Sequence, residues 1–139
     1  MLFRSDRIPA RFTCDGPGPS PAIEWRDAPT GTKSFALIVD DPDAPRDTFT
    51  HWVLADIPAS ATGVAEGFKP GNLGVSGLND FGQPGYGGPC PPSGTHRYVF
   101  KLYALDVETL GLKEGASRDE VERTMLPHVI GKAELIGKY

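Results

Sequence analysis

The side chains best suited to gripping a small ion stand at three places in the sequence. Asp41 and Asp43 share a proline-bounded turn, Asp41-Pro42-Asp43-Ala44-Pro45, while His51 opens one apolar stretch and His96-Arg97-Tyr98 opens another. A carboxylate beside an imidazole raises the imidazole's pKa, giving a donor pair that can be cationic near neutral pH, and a tyrosine hydroxyl adds a neutral donor. The prolines hold the turn rigid, so these groups are in place before a ligand arrives. Such a cavity suits a phosphate ester, whose oxygens accept several charge-assisted hydrogen bonds. The carboxylate limits the positive charge and favours a zwitterionic or singly charged ligand over a polyphosphate.

Other chemistries are excluded by their spacing. Gly31-Thr32-Lys33-Ser34 lacks the Gly-Lys-Ser/Thr run of a phosphate loop and precedes a strand rather than a helix. Gly85-Tyr86-Gly87-Gly88-Pro89-Cys90 places Cys where a dinucleotide fingerprint needs its last glycine, and Gly74-Val75-Ser76-Gly77-Leu78 has Leu where a nucleophile elbow needs Gly. Neither Cys-x-x-Cys nor His-Glu-x-x-His occurs, so no metal site and no cofactor are expected. Cys14 and Cys90 lie in Gly/Pro-rich loops; an oxidising compartment would let them pair, but a cytosolic chain keeps such thiols reduced.

These residues need a scaffold. A chain of 139 residues reads as a single domain, residues 1–139, with enough length for a core. Its 17 Gly and 14 Pro disfavour a helical bundle and suit short strands joined by turns. The formal charge of −4 argues against nucleic acid and anionic lipid surfaces as partners of the whole molecule, so an anion must be held by a local pocket. No apolar run approaches a membrane span, and the segment from Met1 to Arg7 lacks the apolar core of a secretory signal, which reads as cytoplasmic.

Ser34–Asp40 is apolar on both faces, as befits a strand inside a sandwich, and ends at the proline turn. His51–Ile57 is a second strand, stopped by Pro58. In His96–Leu105, alternation puts His96, Tyr98, Phe100 and Leu102 on one face. Between them, Gly63–Gly94 reads as a long ordered loop, and Ile23–Trp25 as a short strand. Ser117 and Glu120 form a capping box at the start of a helix whose apolar stripe is Val121, Met125, Val129 and Ile130, with Pro127 kinking or splitting it. Lys132–Tyr139 reads as a closing strand.

The residues resemble the phosphatidylethanolamine-binding proteins, also called Raf kinase inhibitor-like proteins, in their bacterial and archaeal subgroup. Asp41-Pro42-Asp43-Ala44-Pro45 with His51-Trp52 is similar to the family's first signature, and the run from Gly87 to Tyr98 to its second. Thr13-Cys14-Asp15-Gly16 and Asn79-Asp80-Phe81-Gly82 match the subgroup as well. The resemblance implies an all-β fold, an antiparallel β-sandwich with one or two short helices, and a pocket for phosphate-like anions or phospholipid headgroups. It places Asp41, Pro45, His51, Pro91, His96 and Tyr98 around that pocket, with the backbone of Gly87 and Gly88 on its rim. It also implies a binding or regulatory protein with no shared catalytic activity, a kinase or protease as a protein partner, and a possible homodimer.

Plainer roles compete with these. Aspartates in Asp-Pro-Asp turns often only form the turn. Asp43 is better suited to a scaffold bridge with Arg97 than to ligand contact. His128, Arg118, Asp119, Glu120, Glu122 and Arg123 read as surface, and Trp25 and Trp52 as core or pocket wall. Two other functions fit less well. One is a protease inhibitor presenting the Phe68–Gly94 loop; the other is a hydrolase with His96 as general base and Ser93 or water as nucleophile.

Overall fold

The computed structural model describes residues 6–7, 20–44, 48–71, 73–88 and 96–138. Among the described residues six strands form one sheet: β1 (Asp6–Arg7), β3 (Ser34–Asp41), β4 (Phe49–Pro58), β6 (Val75–Ser76), β7 (Arg97–Leu105) and β8 (Val129–Lys138), in the order β1-β8-β7-β3-β4-β6. Neighbours run antiparallel except β1 and β8, a parallel pair within an otherwise antiparallel fold. A two-stranded antiparallel sheet pairs β2 (Ile23–Glu24) with β5 (Gly63–Val64).

All eight residues of Ser34–Asp41 are buried: β4 and β7 pair with its two edges, and both of its faces are covered. Alternation sends Phe35, Leu37 and Val39 to one face, where they meet Trp25, Trp52, Tyr98, Phe100 and Leu102 and are covered by Ile23 and Val64 of the small sheet. Ala36 and Ile38 point the other way, joining Val53, Ala55 and Leu105 under the helix α1 (Arg118–Met125). Val121 and Met125 are the helix residues that close this second core.

Helix α1 begins where the capping signal places it, with the Ser117 hydroxyl accepting the Glu120 N–H at 3.1 Å. Its apolar stripe is shorter than the periodicity suggests. Pro127 lies in a 3-10 turn, Leu126–His128, and Val129 and Ile130 belong to β8 instead of the helix. Proline has no N–H to continue the ladder, and β-branched residues after it favour the extended chain. The Gly-rich stretch after Pro58 is not loop alone, for it contains β5 and β6. Among the described residues no helix is long and apolar enough to cross a membrane.

Candidate functional site

The site forms where β3, β4 and β7 present the same face. Asp41 is the last residue of β3, and Pro42 ends the strand there. Its carboxylate does two jobs at once. Oδ1 accepts the Asp43 N–H at 2.8 Å, closing the turn, and Oδ2 accepts from His96 Nδ1 at 2.6 Å. Turn formation and site chemistry, alternatives in the sequence, therefore coincide in one side chain. Asp41 and His96 are both buried.

Asp43 points outward and grips the start of β7. Arg97 donates from Nε to Oδ2 and from Nη2 to Oδ1, each at 2.9 Å, and its backbone N–H also reaches Oδ2 at 2.9 Å. Arg97's hydrogen bonds pull the Asp43 carboxyl down to about 2. This fork ties the turn to β7 beside His96 and positions the Asp41–His96 pair.

Simple alternation does not place His51. In the pairing of β3 with β4, Val39 faces Trp52 and Asp40 faces Thr50, so His51 is an extra residue in a β-bulge. A bulge of this kind turns successive side chains to one side of a sheet. His51 and Trp52 thus both face the first core, where the His51 ring meets the edge of Tyr98 at 5.2 Å between centroids. His51 and Gly87 are joined by two bonds: the imidazole Nδ1 donates to Gly87 O at 2.7 Å, and Gly87 N–H donates to His51 O at 2.8 Å. A carbonyl can only accept, so Nδ1 carries the proton.

Burial pushes the His51 imidazole below its ordinary pKa, outweighing the Gly87 bond and the negative charges of Asp41, Asp40 and Asp80. This reverses the expectation of a cationic imidazole for His51, because desolvation exceeds the pull of the carboxylates. Near neutral pH its Nε2 is an acceptor. Tyr98 is fully buried, stacks on His96 at 6.5 Å, and burial raises its hydroxyl well above the ordinary range, which keeps it a neutral donor. Among the described residues that hydroxyl has no hydrogen-bond partner. A buried, unpaired O–H is costly unless something meets it.

The structure thus brings Asp41, His51, Gly87, His96 and Tyr98 together, with Asp43 and Arg97 behind the turn. Gly88 follows Gly87, half-buried. Pro45 and Pro91 lie outside the described residues, as do Cys14, Cys90 and Ser93. Trp25 and Trp52 are core residues, and His128 is a surface residue paired with Asp106 at 2.9 Å.

Two features escape a reading of the sequence. The turn Asn79–Gly82 is pinned against β4 beside His51: buried Asn79 accepts the Phe81 N–H at 2.9 Å through Oδ1 and donates Nδ2–H to Gly85 O at 2.9 Å. Asp80 then clamps Thr50 twice, Oδ2 accepting the Thr50 N–H at 2.7 Å and Asp80 N–H donating to Thr50 O at 2.8 Å. An Asn-Asp-x-Gly turn signal marks the turn, though not what it braces.

The second feature is Arg118, which is not a solvated helix residue. It donates to both oxygens of Asp40, with Nη2–Oδ2 at 2.8 Å, and to Thr50 Oγ1 at 3.0 Å, while Lys101 Nζ reaches Asp40 Oδ2 at 3.0 Å. Asp40 is buried on the helix side of β3, opposite its neighbour Asp41. The cleft there, about 520 Å³, is lined by Lys101, Arg118, Glu122 and Asp119 among others. Asp40 and Glu122 already engage its two cations, so the ion pairs fasten α1 to the sheet.

Comparisons with known proteins bear on this geometry. A family model described as phosphatidylethanolamine-binding protein matches residues 3–139. A relative from Aquifex aeolicus, named UPF0098 protein, is 54% identical over 139 residues, covering 96% of this chain and 81% of the relative. One of the same name from Methanothermobacter thermautotrophicus is 53% identical over 137 residues, covering 96% and 90%. Among solved structures, the phosphatidylethanolamine-binding protein homologue CT736 of Chlamydia trachomatis superposes with a TM-score of 0.90 at 38% identity, covering all of this chain and 92% of the other. YbcL of E. coli, described as a new member of the mammalian family, gives 0.89 at 34% identity, covering 99% and 93%.

Proposed function

Because this chain belongs to the phosphatidylethanolamine-binding protein family, we propose that it is a non-catalytic binding protein that holds one small phosphate-bearing group, free or as a phospholipid headgroup, between His51, His96 and Tyr98. The supporting observation is the pattern of used and unused polar atoms. Both imidazoles are bonded inside the protein through Nδ1, to Gly87 O and to Asp41, and among the described residues no hydrogen bond takes up Nε2 of either ring. The Tyr98 hydroxyl adds a buried donor without a protein partner among the described residues.

A tetrahedral oxyanion meets such a pattern. The Tyr98 O–H donates to one oxygen, and His51, neutral at pH 7, accepts from a protonated phosphate O–H or takes up a proton and donates. Asp41 adds negative charge that sets the balance toward monoanionic or zwitterionic esters. Asp43 and Arg97 hold the turn in place without touching the ligand.

The test is titration with phosphoethanolamine and with inorganic phosphate, following the ring resonances of His51 and His96. Both rings are expected to shift with one saturation curve. Silence from both at millimolar ligand overturns the reading.

A further inference from the structure

Phe81 is 50% exposed, and a single exposed apolar residue ordinarily means little. This one is held with unusual care. Its N–H is bonded to the buried Asn79, and the next residue back, Asp80, clamps Thr50, the neighbour of the bulge residue His51, through both its N–H and its C=O. Gly87 has no side chain where Phe81 lies: a Cβ there would sit 2.3 Å from Phe81 Cδ2. The ring packs edge-on against Phe49 at 4.9 Å and against His51 at 5.7 Å between centroids.

Half of a large apolar ring is thus kept in water, one ring contact from an imidazole of the anion site. Holding it rigidly removes the ordering cost that a flexible side chain would impose on a ligand.

We propose that Phe81 determines specificity at this site by offering a flat apolar ledge to the organic part of the ligand, so that the preferred phosphate esters carry an aromatic ring next to the phosphoryl group. The inference rests on the anion-binding reading and adds the chemistry of the ester's other end. On this reading the ester oxygen of an oxyanion between the two histidines leaves on the His51 side, where the Phe81 ring stands 5.7 Å from the imidazole between centroids, so that a planar group on that oxygen meets the ring. Aromatic pairs gain from offset or edge-to-face contact beyond the area they bury, whereas a methyl group reaches too little of the ring to gain either.

The experiment compares methyl phosphate with phenyl phosphate by calorimetric titration of the wild-type chain, Phe81→Ala and Phe81→Leu. In the wild type phenyl phosphate is expected to bind about tenfold more tightly. Phe81→Ala should erase that preference, with methyl phosphate measured in the same variant to account for what losing the Phe81–His51 ring contact does to the anion site itself. Equal affinities in the wild type, or a preference that survives in Phe81→Ala, overturn the role of Phe81 and leave the anion reading intact. Absence of binding by either ester overturns the anion reading itself. If Phe81→Ala loses both ligands through misfolding, Phe81→Leu decides: a reduced preference with methyl phosphate retained supports the ledge, and a full tenfold preference overturns it.

Discussion

Lowering the pH should tighten the binding of an anion that does not itself titrate, and sulfate is such a probe. The His51 imidazole is held below its ordinary pKa by burial, and its Nδ1–H is already committed to Gly87 O. Near pH 7 its Nε2 therefore presents a lone pair that repels sulfate oxygens. Protonation converts that contact into a charge-assisted hydrogen bond, worth about 1.5–3 kcal/mol. The gain in affinity from protonating His51 should saturate at about 10- to 150-fold, its one proton contributing no more than about tenfold per pH unit. It should develop as the pH falls below about 6.5, the ordinary imidazole value. Without sulfate the same group acts in the opposite direction on stability. The folded-state pKa lies below the unfolded one, so the unfolded chain binds more protons, and stability present above about pH 6.5 is lost as the pH falls through the folded value. Asp43, held at about 2, stays charged across this range, so the scaffold does not titrate with the site. Calorimetric titrations from about pH 7.5 to about pH 5, in two buffers of different ionisation enthalpy, count the protons directly. His51→Gln should remove that one proton's share of the slope. A flat profile in the wild type, or an unchanged slope in His51→Gln, refutes the reasoning.

Three further outcomes follow from the packing. Asp40→Ala leaves Arg118 and Lys101 without their shared counter-ion. It should cost about 3–5 kcal/mol in urea denaturation, with Asp40→Ala/Arg118→Ala costing clearly less than the sum of the single changes. Gly87→Ala forces its new methyl into the Phe81 ring, which should destabilise by about 1–3 kcal/mol and shift the Phe81 and His51 ring resonances together. Met125→Ala, at a fully buried position beneath α1, should cost about 2–5 kcal/mol by thermal or urea unfolding while leaving phosphate affinity unchanged.

Much of this fold was legible one segment at a time. Ser34–Asp40 is apolar on both faces because each is covered, one by the small sheet and the other by α1, and Ser117 with Glu120 marks the helix start through a bond spanning three residues. The Pro127 boundary was half legible. A proline announces an interruption, but only the pairing of Val129 with Leu105 shows that the chain leaves as a strand. Arg118 was misjudged because the polarity of a helix residue cannot reveal a buried partner 78 positions away. The bulge at His51 left no local mark at all, since it arises from the register between two strands.

The amino-acid sequence by itself determined which stretches extend, where prolines and a serine stop or start them, and which side chains are candidates for the chemistry of a site. Those properties depend on near neighbours along the chain. The tertiary structure alone decided that consecutive aspartates serve opposite faces, one clasping α1 and the other His96. It also decided that burial lowers the His51 pKa where a neighbouring carboxylate alone would raise it, because the cost of removing an imidazole from water depends on everything packed around it.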